Sequence, residues 1–182
     1  APINLISQQL VGASLGQESL KKAIYGGLIG TLAVMVFMLI YYRTRGIFAS
    51  LALLIYTVLT LAILKLFSAT MTLSGIAGFI LSIGMAVDAN ILIFERTKEE
   101  IKKGLTKISA IEEGFKRAWP SIRDSNVSTI ITSLILYFFT TSFVKGFALT
   151  LLIGVLVSMF SAITITRTMM RVFVKKQNYE SN

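Results

Sequence analysis

The sequence predicts an all-α membrane protein, a polytopic bundle of five transmembrane helices. The 182 residues are 54% hydrophobic with a mean hydropathy of +0.75. Five apolar stretches recur along the chain, and the basic residues are concentrated between alternate stretches. About 20 apolar residues in a helix are enough to cross the ~30 Å hydrocarbon layer of a bilayer. No soluble domain is needed to explain this composition.

The composition also excludes several kinds of functional site. The chain has no Cys and no His, which excludes disulfides, thiolate metal sites and the usual neutral-pH base. No phosphate-binding P-loop motif occurs, and no apolar stretch contains a pair of acids. We therefore expect no enzyme activity, no metal and no cofactor.

The apolar stretches divide the chain into three parts. Residues 1–24 are expected to be an extracytoplasmic segment in which Ser14 caps the first helix, since Ser14-Leu-Gly-Gln17 matches a capping box. Residues 25–166 are expected to form the bundle, and residues 167–182 a cytoplasmic tail. The five predicted spans are 25–42, 47–67, 73–94, 127–141 and 147–166. Three of the four links are short, which predicts helical hairpins.

The one long link, residues 95–126, begins with a charged helical sequence that extends the third helix to Gly104. A second helix is expected after it, because apolar residues recur every three or four positions. These residues are Ile108, Ile111, Phe115 and Trp119. We expect this amphipathic helix to lie along the membrane surface and to be broken by Pro120 before the fourth span.

The distribution of Lys and Arg predicts the orientation. Fourteen of the 18 basic residues lie in the first link, the long link and the C-terminal tail, which must share one side of the membrane. By the positive-inside rule this side is cytoplasmic, so the N-terminus is outside and the C-terminus inside. The net charge of +9 thus needs no nucleic acid partner. Contact with membrane lipid is expected throughout.

The third span, residues 73–94, contains the residue of greatest functional interest. Asp88 lies roughly 7 Å beyond the midpoint of the span, still in the apolar layer, and Gly84 is on the same side one turn earlier. A carboxylate in hydrocarbon costs at least about 2.5–3.5 kcal/mol. Small residues form a strip on nearly the opposite side, and small residues allow close helix packing. They are Gly75, Gly78, Ser82, Ala86 and Ala89. We expect this helix to be central, with Gly84 also packed against a neighbouring backbone.

Asp88 is the predicted proton-coupling residue, because an ionisable group inside a membrane is by default a functional site. The alternatives are a structural acid that never titrates and a helix that ends early and leaves Asp88 at the membrane interface. Asn90 follows on the same helix, and no span has a deep Lys or Arg to pair with Asp88. The candidate neutral partners are Thr129, Thr132, Ser133, Ser158, Ser161 and Thr164. Each of these could instead bond the backbone of its own helix.

The segment Gly84-Met-Ala-Val-Asp-Ala-Asn-Ile-Leu-Ile-Phe-Glu-Arg96 closely resembles the fourth-helix signature of SecD, in the SecD/SecF family of protein-export membrane proteins. Ser14-Leu-Gly-Gln17 resembles the segment before the second helix of SecD and favours it over its sister SecF. Lys145-Gly-Phe-Ala148 and residues 118–126 also resemble SecD.

This resemblance implies the transmembrane half of an RND-type transporter without its first helix. It implies a subunit that couples proton-motive force to preprotein export, with Asp88 at the position of the family's intramembrane acid. The implied partners are a SecF-like subunit, the SecYEG translocon and a preprotein bound mainly by a domain absent here. A passive scaffold and an RND-type exporter of small molecules or lipids are the alternatives. The implied location is the bacterial cytoplasmic membrane.

Overall fold

The computed structural model describes residues 13–172 and is helical along almost all of them. The helices are α1 (Ala13–Tyr42), α2 (Thr44–Leu66), α3 (Leu73–Lys102), α4 (Lys107–Phe139) and α5 (Ser142–Phe160). A π-helical segment, Ser161–Thr166, follows α5, and the helix then continues to Val172. The predicted all-α fold with five long helices is confirmed. Residues 1–12 of the predicted segment 1–24 and residues 173–182 of the predicted tail 167–182 lie outside the described residues.

Four of the five helices are long and apolar enough to cross a membrane: those beginning at Gly16, Arg45, Leu73 and Ser142. The exception is α4, whose first half carries many charged residues. The apolar second half of α4 corresponds to the fourth predicted span, 127–141. In length alone, α4 is the longest of the five, with 33 residues.

Helix α3 lies at the centre of the bundle, in contact with α1, α2, α4, α5 and the π segment. Its small-residue strip packs so closely against α5 that larger side chains at these positions would collide with the neighbouring helix. A Cβ on Gly78 would lie 2.4 Å from Thr150 Oγ1, and one on Gly154 would lie 2.4 Å from Ser82 Cβ. The prediction that small residues let α3 approach a neighbouring backbone is therefore correct for this strip.

One prediction about α3 is not met by the helices of this chain. Gly84 does not pack on a neighbouring backbone within this chain: it is exposed, and a Cβ there would meet nothing within 4 Å. The periodicity of a helix shows which residues share a face, and it does not show whether this chain covers that face. In the described residues, the side of α3 that carries Gly84 is open.

Pro120 does not break α4, which is one helix from Lys107 to Phe139. Proline cannot donate to the carbonyl of Lys116, which normally costs stability in a helix interior. Its ring is exposed, however, and the apolar stripe of α4 continues across it on the inner side. The buried members of this stripe are Ile111, Phe115, Ala118 and Ile122. The amphipathic segment therefore packs on the bundle and is not a separate surface helix.

The helix ends follow local sequence signals. Thr72 caps α3 by accepting a hydrogen bond from the Gly75 amide at 3.1 Å, and Thr106 caps α4 by accepting one from the Ser109 amide at 3.3 Å. Gly104 has a φ of +91° just after α3, a conformation that favours glycine. The predicted end of the third helix at Gly104 is confirmed. The predicted capping role of Ser14 lies outside what the structure describes, because the residues before Ala13 and the side chain of Ser14 are not described.

Candidate functional site

Asp88 projects from the open face of α3, near the middle of α4. It is exposed and borders a cavity of about 110 Å³ between α3 and α4. The other lining residues are Met85, Ala89 and Leu92 on α3, with Ser121, Ile122, Ser125 and Asn126 on α4. The cavity therefore offers two hydroxyl groups and one amide beside a carboxyl group that lies within an otherwise uncharged stretch of helix.

Within the described residues, the Asp88 carboxyl has no hydrogen-bond or ion-pair partner. The nearest charged residues along α4 are Arg123 and Asp124, which pair with each other at 2.9 Å. Asp124 is largely exposed, with 66% of its side-chain surface accessible. The described residues therefore place no cation beside the Asp88 carboxyl.

The open face extends along α3 from this site toward the start of the helix. Its exposed residues are separated by three, four or eight positions, as expected for one side of a helix. They are Leu73, Leu81, Gly84 and Asp88. On α4, Ser121, Ser125 and Thr132 are exposed as well. This combination of small, apolar and polar residues leaves a helix surface that one chain does not cover.

Asn90 lies on the other side of α3 from Asp88. Its side chain is 4% exposed, and its Oδ1 accepts a hydrogen bond from Thr166 Oγ1 at 2.8 Å. Successive residues of a helix project about 100° apart. Asn90 is two positions after Asp88, so the two side chains project about 200° apart. The structure therefore does not bring Asn90 into the cavity of Asp88.

The six predicted neutral partners also lie away from the cavity. Thr129 and Thr132 donate to carbonyl groups one turn earlier on α4, those of Ser125 and Ser128. Such a bond satisfies the hydroxyl within its own helix. Ser133 Oγ is buried and has no hydrogen-bond partner.

The predicted residues after α4 are turned elsewhere in the bundle. Ser158 Oγ donates to the Val155 carbonyl at 2.8 Å, and Ser161 Oγ donates to the Ala52 carbonyl on α2 at 3.4 Å. Thr164 is exposed. The hydroxyl groups that do line the cavity, those of Ser121 and Ser125, lie before the predicted fourth span. Their spacing of four places them on one helical face, a signal that the expected break at Pro120 obscured.

A separate buried polar contact joins α2 and α3. Tyr56 Oη donates to Ser82 Oγ at 2.6 Å, and Ser82 Oγ donates to the Phe79 carbonyl at 2.7 Å. Both Tyr56 and Ser82 are fully buried, and Gly154 of α5 lies directly against them. The contact fixes the packing of three helices on the side of α3 away from Asp88.

Ion pairs join the charged ends of the helices. Glu100 pairs with Lys103 at 2.7 Å and with Arg117 of α4. Glu112 of α4 pairs with Arg167 and Arg171, which follow the π segment. Hydrogen bonds from Arg171 and then from Arg167 lower the pKa of Glu112 to about 2. Among the described residues, no group of three or more acids, His or Cys could hold a metal ion.

Comparison with known proteins identifies relatives along most of the chain. The family described as protein export membrane protein SecD/SecF, C-terminal, matches residues 2–176. A protein translocase subunit SecD from Synechocystis is 54% identical over 173 residues, 95% of this chain and 37% of the relative. The corresponding subunit from Thermobaculum terrenum is 55% identical over 175 residues, 94% of this chain and 34% of the relative. The chain thus spans a little over a third of the length of these curated relatives.

A solved structure has the same fold. The crystal structure of SecDF from Thermus thermophilus, a translocon-associated membrane protein, matches with a TM-score of 0.89 and 40% sequence identity. The match covers 91% of this chain and 23% of that one. The helix bundle is therefore of the SecDF transmembrane type. The chain is a multi-pass membrane protein and belongs to the SecD/SecF family of protein export membrane proteins.

Proposed function

We propose that this chain is the membrane part of a Sec export subunit in which proton-motive force promotes preprotein translocation across the cytoplasmic membrane. Its relatives are called protein translocase subunits SecD, and they are about three times as long. The activity of the complete protein therefore enters here as a proposal, supported by the site that this chain contains.

Asp88 is the proposed proton carrier. The observation that carries this assignment is an acid in an apolar helix, beside a cavity with polar groups and without an ionic partner among the described residues. An uncompensated carboxylate in an apolar layer is costly, so protonation changes the energy of the site strongly. One elementary charge crossing 100 mV supplies about 2.3 kcal/mol. Transport is coupled if the two protonation states of Asp88 favour different helix packings.

The open face of α3 and α4 is the proposed contact with a SecF-like subunit. Asp88 and Gly84 lie on this face and have no covering helix within the described residues. The matched solved structure is named SecDF and described as translocon-associated, which supports a SecF-like subunit and the SecYEG translocon as partners. In this arrangement the second subunit would complete the surroundings of Asp88.

The proposed orientation places residues 95–126 in the cytoplasm and the N-terminus outside. Because α4 then runs outward from Lys107, Ser121, Ser125 and Asn126, which share the cavity of Asp88, lie nearer the cytoplasmic start of α4 than the later residues of this helix. These three residues are the proposed polar lining for proton release. Thr129, Thr132 and Ser133 come later on α4, toward the outside, and remain candidates for the path of proton uptake.

The test compares Asp88→Asn with Asp124→Asn in the full-length protein and its partners, reconstituted in vesicles. These are the two aspartates of the sequence, and Asp124 is exposed and paired with its neighbour. We expect Asp88→Asn to assemble normally and to abolish both proton flux and proton-driven export, because an amide cannot carry the proton. We expect Asp124→Asn to retain both.

Two results would separate the alternatives from this proposal. A passive scaffold predicts that Asp88→Asn, at normal abundance, exports preprotein as well as the parent and with the same dependence on the proton gradient. An RND-type exporter predicts transport of a small molecule or lipid in vesicles without the translocon. Either result would overturn the proposed function.

A further inference from the structure

The helix that begins with α5 is interrupted by the π segment, Ser161–Thr166. A π turn closes i→i+5 hydrogen bonds, one residue wider than an α turn, and such turns are rare and frequent at functional sites. One additional residue rotates everything after it by about 100° relative to an uninterrupted α-helix. The side chain of Thr166, at the end of this segment, is thereby directed at α3.

The hydrogen bond between Thr166 and Asn90 is enclosed by the bundle. Thr166 is 0% exposed and Asn90 is 4% exposed, and their oxygen atoms are 2.8 Å apart. Because Asn90 and Asp88 project about 200° apart on α3, the bond that draws Asn90 inward also keeps Asp88 outward, on the open face. A rotation of α3 that turned Asp88 into the bundle would separate Asn90 from Thr166.

We propose that Thr166 is a positioning residue for Asp88: by holding Asn90, it sets the rotation of α3 and keeps the Asp88 carboxyl on the open face. The inference rests on the proposed role of Asp88 as proton carrier. A buried polar group that loses its partner is costly, so the hydrogen bond opposes rotation of α3. Thr166 contacts neither the carboxyl nor its cavity and acts only through Asn90.

The charged groups near Asp88 do not offer another anchor. Among the described residues, no other acid or base lines its cavity, and Arg123 and Asp124 of α4 pair with each other. On α5, Lys145 lies in the first turn, at the far end from Asn90. Arg167, after the π segment, is paired with Glu112. In α1 and α2, charged residues lie near the helix ends.

A second hydrogen bond between the same helices supplies a matched control. Thr150 Oγ1 on α5 donates to the Gly75 carbonyl on α3 at 2.8 Å, and Thr150 is 3% exposed. Gly75 is 13 residues before Asp88, so this bond joins α3 and α5 far from the carboxyl. Thr150→Val and Thr166→Val thus each remove one hydroxyl group from a buried site. Asn90 loses its hydrogen-bond partner only in Thr166→Val.

The experiment measures the pH dependence of carbodiimide modification of Asp88 in the full-length protein with its partners in membranes. Carbodiimides react with the neutral acid, and mass spectrometry of the modified peptide gives the midpoint. We expect Thr166→Val to raise the midpoint by about 0.4–1.1 pH units, the equivalent of one lost hydrogen bond. The midpoint rises because orientations that bury the carboxyl favour its neutral form. Thr166→Ser and Thr150→Val should stay at the midpoint of the parent.

Equal midpoints in Thr166→Val and Thr150→Val would overturn the inference, as would a shift in Thr166→Ser as large as in Thr166→Val. If Thr166→Val does not assemble, Thr166→Ala removes the same hydroxyl with a smaller side chain and is judged by the same criterion. The modification does not depend on transport. If Asp88→Asn retained proton-driven export, the proposed function would fail while the midpoints would still decide the role of Thr166.

Discussion

Two glycines of α3 differ in what surrounds them, although both lie in the same apolar stretch. A Cβ on Gly78 would lie 2.4 Å from Thr150 Oγ1 and 2.6 Å from the Phe147 carbonyl oxygen. Backbone atoms cannot move aside as a flexible side chain can. A Cβ on Gly84 would meet nothing within 4 Å. The absence of a side chain is therefore required by packing within this chain at Gly78 and not at Gly84.

We expect Gly78→Ala to destabilise the protein by about 1–3 kcal/mol, because α3 and α5 must separate to admit the methyl group. Gly84→Ala should leave stability unchanged or raise it by up to about 1 kcal/mol, since Ala is the better helix former. Thermal unfolding of the two variants in detergent, beside the parent, measures the difference. Equal losses at the two positions would contradict the close packing of α3 on α5 at Gly78.

At the scale of elements, α4 is held to the helix that follows the π segment by Glu112. Its carboxylate accepts from Arg171 and Arg167, and these contacts lower its pKa to about 2. A carboxyl whose pKa is lower in the folded state stabilises the fold above its unfolded pKa. The contribution of Glu112 is therefore complete above about pH 4.5 and is lost as the pH falls toward about 2.

We expect Glu112→Gln to lower the melting temperature at neutral pH by about 2–4 °C, since partly exposed ion pairs contribute on the order of 1 kcal/mol. The difference from the parent should shrink as the pH is lowered below about 4.5 and should diminish in high salt. Glu113→Gln is the control, because Glu113 is more exposed and its pair with Lys116 is longer, at 3.9 Å. A loss in Glu112→Gln no greater than in the control would show that the link between the helices contributes nothing.

At the scale of the whole molecule, the order of the helices determines which of the links between them lie on the same side of the bundle. The link between α3 and α4 and the end of the described chain share one side, and the turn between α4 and α5 lies on the other. By the positive-inside rule we expect the first side to be cytoplasmic. This assignment determines the direction in which Asp88 would release protons.

Single-cysteine labelling tests the orientation, because the chain contains no Cys. We expect a membrane-impermeant maleimide added outside intact cells to label Ser142→Cys and not Glu113→Cys, both at accessible positions. After the membrane is made permeable, both should react. Labelling of Glu113→Cys from the outside would reverse the topology and with it the proposed direction of proton transfer.

The sequence by itself determined the helix number, the end of α3 at Gly104 and the small-residue strip of α3, and it singled out Asp88 as a candidate. These features depend on local patterns: length in an apolar run, a glycine with positive φ, a repeat of three or four residues, and an acid among apolar residues. Such patterns are complete within one helix, so they can be recognised before the helices are placed.

Only the tertiary structure decided which faces meet. Pro120 stays inside α4 because the stripe through Phe115 and Ile122 packs on the bundle, and this packing offsets the local penalty of the proline. Gly84 stays open because coverage of a face depends on the other helices present, and no periodicity records it. The cavity beside Asp88 and the bond between Asn90 and Thr166 join residues more than 30 positions apart in the chain. They arise from helix rotation and from the π segment, neither of which a local sequence pattern specifies.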